Sequence, residues 1–523
     1  MPARPRVHFG PRRATGRRRP SRRERGRRIA LSLAVLLGVS GIAPASTAAQ
    51  GAKRPAARAI RPPATRPVAE LRLDERLAEL VAAQAKSLDI GLYVADARSG
   101  AVWFEHNAAS PLKPASVLKL FTSAAALERL GPDFRFETRV YLAGPPEAAE
   151  LWVVGAGDPA LGDERIAARL RRERDFALDE WAAALRARGV TQLRRIVLDT
   201  SVFDDQYTHP DWPVAQQDRW YQAPVGGLNI NDNCLDVTLT LRGGDVAVQL
   251  QPDVGADLLR QRLAAGKPHR VALKRAPGSD VFELTGTVAR DGPLESIAAG
   301  RPTVFFGHAL YHALAQRGIR VVGEVLSRPL SPSDLGAAAL LATHTTPLRD
   351  VLWRCNTFSQ NLFAECLCKA LAAYAPDGRR AGPPGSWSAG TDTVRSTLAC
   401  LGLDLSGAVL RDGSGLSHRN RVSAAQIGRL LVQMHRHRHA ALFIDSLAEP
   451  GEPGSMRKRY DDPVLRGRIR GKTGTLAHVQ ALAGYATRPD GTVLAFALLV
   501  NGGSESNLSL ELCRALVTAA PPR

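Results

Sequence analysis

The chain has 523 residues, 45% of them hydrophobic, and a formal charge of +20. That length suggests about three domains and ample chain for a large buried core. The charge is concentrated at the beginning: residues 1–28 hold twelve Arg and one Glu, residues 51–66 hold five further cations and no anion, and residues 67–523 carry only +4. A body with so mild an excess makes no case for a nucleic-acid partner.

In chain order, the basic start runs into an apolar stretch at residues 29–43 and then small residues at 44–49. This is the pattern of a cleavable secretory signal spanning residues 1–49, with cleavage after Ala48 or Ala49. The apolar stretch is shorter than the roughly 20 residues of a spanning helix, so an uncleaved anchor is the second reading. The expected location is periplasmic or otherwise extracytoplasmic, with at most peripheral membrane association. Residues 50–68, rich in Ala, Arg and Pro, read as a flexible tether. The six cysteines (234, 355, 366, 368, 400 and 513) read as buried small residues, with one or two disulfides open to an exported chain.

Residues 70–86 have helical spacing. Residues 90–96 and 101–104, joined by Arg98-Ser-Gly100, read as a β-hairpin. A helix is expected over residues 114–131, opened by Pro114 and closed by Gly131. Strand-like runs follow at residues 137–142, 151–155, 195–199, 235–241, 246–250 and 281–288, punctuated by Gly and Pro. Residues 348–374 read as helical with a break near Thr357. Residues 468–476 read as an edge strand. Strands at 479–487 and 492–500, joined by Arg488-Pro-Asp-Gly491, precede a helix at 507–519.

Three strings carry chemistry: Ser116-Val-Leu-Lys119, Ser359-Gln-Asn361 and Lys472-Thr-Gly474. In this order they form the S-x-x-K, S-x-N and K-T-G set of serine acyl-transfer enzymes acting on D-Ala-D-Ala peptides or β-lactams. Ser116 and Lys119, three apart, share a helix face. A serine hydroxyl needs an adjacent base, and a lysine is that base only when burial or a second cation lowers its pKa. Lys472 is the expected second cation. Ser359, at the break, would relay a proton to the leaving amine, and Asn361 would hold Lys119 and the substrate amide. Lys472 and Thr473 would bind a terminal carboxylate, Gly471 and Gly474 would permit close approach of backbone to ligand, and the N–H of Thr475 with that of Ser116 would form an oxyanion hole. Each string also has a plainer reading: a surface helix, a serine helix cap, a charged edge strand.

With these residues in hand, the chain resembles the class C low-molecular-mass penicillin-binding proteins, D-alanyl-D-alanine carboxypeptidases/endopeptidases with domains inserted after the nucleophile helix. Gly157-Asp158-Pro159, Tyr221-Gln-Ala-Pro followed by Leu228-Asn229, and Asp412-Gly-Ser-Gly-Leu-Ser417 match further family segments. The resemblance implies an α+β fold, a serine transpeptidase/β-lactamase-like catalytic domain with an antiparallel sheet flanked by helices. The 243 residues from Ser116 to Ser359 make room for a mostly β insertion of one or two domains at residues 138–342, splitting the catalytic domain into 69–137 and 343–523. It implies Ser116 as acyl-ester nucleophile, Lys119 as proton acceptor, Ser359 as a second catalytic serine and Lys472 as substrate-binding. Peptidoglycan peptides and β-lactams are the implied partners. The chain departs from the pattern at Gln360, where Asp or Asn is common and whose side chain is expected to point away from the key atoms. It departs again at His418, where Arg is common.

No cofactor and no metal is expected. His435-Arg-His-Arg-His439 matches no zinc spacing and reads as a solvated basic surface, and His308 and His312 read as helix-surface residues. The carboxylates show no paired arrangement. A β-lactamase and a weakly catalytic wall-binding protein are the alternatives to the peptidase.

Overall fold

The computed structural model describes residues 71–85, 87–503 and 507–522; the expected signal and tether lie outside them. One antiparallel five-stranded sheet joins the two ends of the described chain. Its strands run in the order Ile469–Leu476, Val479–Thr487, Val493–Asn501, Asp89–Asp96, Val102–His106. Asp89 faces Asn501 and Asp96 faces Leu494, so the early hairpin adds to the late one with no gap in register.

Alternation along the strands sorts two cores. Leu494, Phe496, Leu498 and Val500 pack with Leu73, Leu77 and Val81 of helix Leu73–Ala82 and with Leu512 and Leu516 of helix Leu508–Thr518. The other face carries Ala481, Ala483, Ala495 and Ala497, against helices Lys119–Leu130, Asn361–Ala373 and Ala424–Arg436. Small residues on this face let the helical layer settle close to the sheet. Each buried Leu or Phe in these cores contributes about 1.5–3 kcal/mol relative to exposure.

Strands Arg135–Ala143 and Ala339–Pro347 lie antiparallel, Arg135 opposite Pro347 and Leu142 opposite Ala339. The segment between them therefore leaves and returns at one place. Thr346 donates to buried Asp158 at 2.6 Å, which ties the return strand to the Gly157-Asp158-Pro159 turn. These two strands continue into a second five-stranded sheet with Glu150–Val154, Arg195–Asp199 and Val325–Ser327. The intervening segment also holds a sheet built on Cys234–Arg242 and a three-stranded sheet, Arg270–Arg275, Phe282–Val288, Leu259–Ala265. Helices Phe176–Ala187 and Pro302–Gln316, which the strand-like runs did not anticipate, fill its separate core with Trp181, Leu185, Phe305, Phe306 and Leu310.

His308 is a correction. It is buried on helix Pro302–Gln316, not on a helix surface, and burial pushes its pKa down to about 4. All six cysteines are free thiols, five of them buried, so no disulfide takes part in the fold. Among the described residues no helix is long and apolar enough to cross a membrane.

Candidate active site

Ser116 sits in a 3-10 turn, Ala115–Leu118, that leads directly into helix Lys119–Leu130. The expected single helix is thus tightened at its first turn, and Ala115 there has φ +47°. Lys119 is fully buried. Its Nζ lies 2.9 Å from Ser116 Oγ, 2.6 Å from Asn361 Oδ1 and 3.0 Å from the Ser414 carbonyl oxygen. Asn361 Nδ2 donates to the Tyr221 carbonyl at 2.7 Å, which fixes the amide with its oxygen towards Lys119. Two of the three partners of Nζ are pure acceptors, so a neutral amine gives them its two protons and turns its lone pair to Ser116. Burial is the main cause of a Lys119 pKa lowered to about 8, against the raising influence of Cys355, Glu365 and Asp412.

The break in residues 348–374 is real: helices Leu348–Thr357 and Asn361–Ala373 flank it, and Ser359 has φ +62°. A left-handed non-glycine residue costs on the order of 1–3 kcal/mol and persists only where its surroundings hold it. The holder is Gln360. Its Oε1 accepts from the Asn361 N–H, and its Nε2 donates to Asp232 Oδ2 at 2.6 Å. The helix cap is therefore Gln360 and not Ser359. Asp232 in turn takes Arg354 Nη2 at 2.8 Å, while Arg354 Nε donates to Asp163.

Lys472 is also fully buried, on the edge strand Ile469–Leu476. Its Nζ lies 2.7 Å from Ser359 Oγ and 2.7 Å from the Thr473 carbonyl. Burial, then the charge of Lys119, holds its pKa well below the usual lysine value. Burial is the first cause for both lysines, as expected for Lys119, and the charge of either one disfavours protonation of the other. A Cβ on Gly474 would stand 2.9 Å from the Pro114 carbonyl and 3.1 Å from the Ser116 nitrogen, so the glycine lets the edge strand close on the serine turn. Strand alternation puts Lys472 and Gly474 on this side. Thr473 and Thr475 line an adjoining pocket of about 110 Å³ with Ser455 and Arg459.

The segment Asp412-Gly-Ser-Gly-Leu-Ser417 forms the wall behind Lys119. Gly415 has φ +86°, and a Cβ there would lie 1.9 Å from the Ala115 carbonyl. Asp412 accepts from the N–H groups of Gly415 and Ser417, from Asn420 Nδ2 and from Trp212 Nε1. Behind the loop lies Glu365, fully buried, which sequence reasoning missed. Its Oε2 accepts from the Gly413 N–H and Trp387 Nε1, both at 2.8 Å, and its Oε1 accepts from the Ser414 N–H at 2.9 Å. Burial, with the nearby charge of Asp412, pushes Glu365 up to about 7, against the pull of these donors. One signal was available, since Glu365 is four residues after Asn361 on the same helix face.

A pH dependence follows from this site. If neutral Lys119 accepts the Ser116 proton, acylation rises with pH through about 8. Below that midpoint the neutral fraction falls about tenfold per pH unit. A second-order acylation rate by a labelled penicillin, measured from pH 6 to 9, checks it; a flat profile excludes the role.

The sheet and its helical layer form the fold of a penicillin-binding protein. Penicillin binding protein 4 (dacB) of Haemophilus influenzae shares it at TM-score 0.68 and 24% identity, over 84% of this chain and 98% of that one. The model of the D-Ala-D-Ala carboxypeptidase 3 (S13) family matches residues 73–520, and the chain belongs to this family of serine-type peptidases. It is similar to a D-alanyl-D-alanine carboxypeptidase of an Actinomadura species, 32% identical over 79% of this chain and 78% of the relative. It is also similar to carboxypeptidase DacB of Mycolicibacterium smegmatis, 29% identical over 92% and 95%.

Proposed function

We propose that the chain is an exported D-alanyl-D-alanine peptidase that cuts peptidoglycan stem peptides through an acyl-enzyme on Ser116, and that β-lactams acylate the same serine. The carrying observation is Lys119 Nζ at 2.9 Å from Ser116 Oγ with its other hydrogen bonds spent on Asn361 and Ser414. Neutral Lys119 takes the Ser116 proton as Oγ attacks the carbonyl. The N–H groups of Ser116 and Thr475 receive the oxyanion. Ser359, with Lys472 behind it, passes a proton to the leaving amine, and water then hydrolyses the ester.

A substrate carboxylate at the Lys472–Thr475 strand favours protonated Lys472, and that charge lowers the pKa of Lys119 further. Substrate arrival thus helps create the base, which is the second-cation effect expected from the sequence. The catalytic unit comprises residues 69–137 and 343–523, with 138–342 inserted; the paired strands Arg135–Ala143 and Ala339–Pro347 support these limits. The insertion supplies the Tyr221 carbonyl, Trp212 and Asp232 to the site. Export at residues 1–49 fits a wall substrate.

The test is incubation with a soluble peptide ending in D-Ala-D-Ala. Stoichiometric D-Ala release, stopped by prior penicillin, is expected. Rapid penicillin turnover without D-Ala release would overturn the peptidase reading in favour of a β-lactamase.

A further inference from the structure

Three consecutive residues of the intervening segment, Asn231, Asp232 and Asn233, have φ of +52°, +55° and +51°. Asn and Asp are the side chains that tolerate this region best after glycine, but a run of three needs its surroundings to hold it. The two buried asparagines fasten the turn into their own segment. Asn231 Nδ2 donates to the carbonyls of Cys234 at 2.8 Å and Gln251 at 3.1 Å, and Asn233 Nδ2 donates to the Pro224 carbonyl and Asn229 Oδ1, both at 2.7 Å. Asp232, between them, is turned to the catalytic unit. Its Oδ2 accepts from Arg354 Nη2 at 2.8 Å and from Gln360 Nε2 at 2.6 Å. Arg354 lies in the last turn of the helix before the Ser359 break, and Gln360 caps the helix after it. One carboxylate oxygen therefore ties both sides of the break. Between them Ser359 stands at φ +62° with its Oγ 2.7 Å from Lys472 Nζ.

We infer that Asp232 is a positioning residue for proton transfer to the leaving amine: through Gln360 it keeps Ser359 in the left-handed conformation that holds Oγ against Lys472. The inserted segment thus sets the rate of amine departure without touching substrate. The inference rests on the function proposed above. In that reaction the carbonyl–nitrogen bond breaks and the acyl group stays on Ser116 Oγ. The nitrogen keeps the bond's electron pair and takes the proton passed by Ser359. A hydroxyl that must deliver this proton works only from one place, and the backbone at Ser359 would leave its strained conformation if nothing held it. Loss of Asp232 falls mainly on Gln360. Arg354 keeps a second carboxylate, Asp163, 2.8 Å from its Nε, whereas Gln360 Nε2 has no other acceptor among the described residues.

The test is steady-state release of D-Ala from a soluble peptide ending in D-Ala-D-Ala, measured in the full chain. Asp232→Gly removes the carboxylate while leaving a residue that takes positive φ without strain. It is expected to lower kcat about 10- to 100-fold with KM within about twofold, the scale of a displaced catalytic group with binding intact. Asp232→Asn keeps an acceptor oxygen for Gln360 and should recover most of that loss. In a Ser359→Ala background, Asp232→Gly should cost less than about twofold more, because residues that act as one unit are not additive. Gln360→Ala cuts the same link from the other side and should show the same pattern if Asp232→Gly folds poorly. An unchanged kcat in these variants, or an equal fold loss with and without Ser359, overturns the inference and leaves the proposed function standing. An unaltered kcat in Ser359→Ala itself would overturn the role given to that serine above, and this inference with it.

Discussion

Replacing Ser116 by Ala is expected to abolish the stable adduct with labelled penicillin and to lower D-Ala release by on the order of 10⁴-fold or more, the scale of losing a nucleophile that works as a unit with its base. The fold should survive. Ser116 is half-buried in its 3-10 turn, and the one side-chain hydrogen bond it gives up is with Lys119. Lys119 keeps Asn361 and Ser414, so its amine is not left unpaired. A thermal melt within a few degrees of wild type, with no adduct, is the expected pair of results. An adduct of equal intensity on the variant would move the nucleophile elsewhere, and Ser359, 2.7 Å from the second buried lysine, is the only other serine so placed among the described residues. The same experiment on Ser359→Ala separates the two: it should still acylate, more slowly, because it retains both Ser116 and its base.

Local patterns made most of the catalytic layer legible. Ser116 and Lys119 share a helix face because they are three apart. The turn Arg488-Pro-Asp-Gly491 marked the last hairpin, and the break at residues 358–360 fell where helical spacing faltered. What stayed hidden depends on chain segments meeting from afar. Gln360 was expected to point away from the chemistry, and its side chain does leave Ser116. It reaches Asp232 instead, 128 residues earlier in the chain. No spacing rule joins those two positions. Glu365 was hidden for the same reason: its partners Gly413 and Ser414 lie almost 50 residues on, although its helix face was readable. His308 was misplaced because its helix, Pro302–Gln316, is apolar on nearly every side and gives no amphipathic signal of which face is out.

Glu365→Ala should produce the second large effect, and it tests the wall behind Lys119. The variant leaves the N–H groups of Gly413 and Ser414 and the Trp387 indole without their acceptor, all in a buried place. Losing one partner of a buried charge network costs about 3–5 kcal/mol, so a drop of that size in the unfolding free energy from urea denaturation is expected. Activity should fall further than stability explains. The Ser414 carbonyl accepts from Lys119 at 3.0 Å, and Glu365 helps to aim it by holding the N–H of the same residue, while the Gly415 N–H of the carbonyl's own peptide is held by Asp412. With that aim lost, penicillin acylation by the folded fraction is expected to drop about 100-fold, the scale of misplacing a catalytic group by about 1 Å. Glu365→Gln keeps one acceptor oxygen for two of the three donors and turns an NH₂ against the third, so it should lose less of both. Because burial raises the Glu365 pKa to about 7, its contribution to stability is full below the ordinary carboxylate range and declines as pH rises through 7. The stability gap between wild type and the Ala variant should therefore be wider at pH 5 than at pH 8. A gap independent of pH, together with unchanged acylation, would make Glu365 a packing residue with no hold on the catalytic lysine.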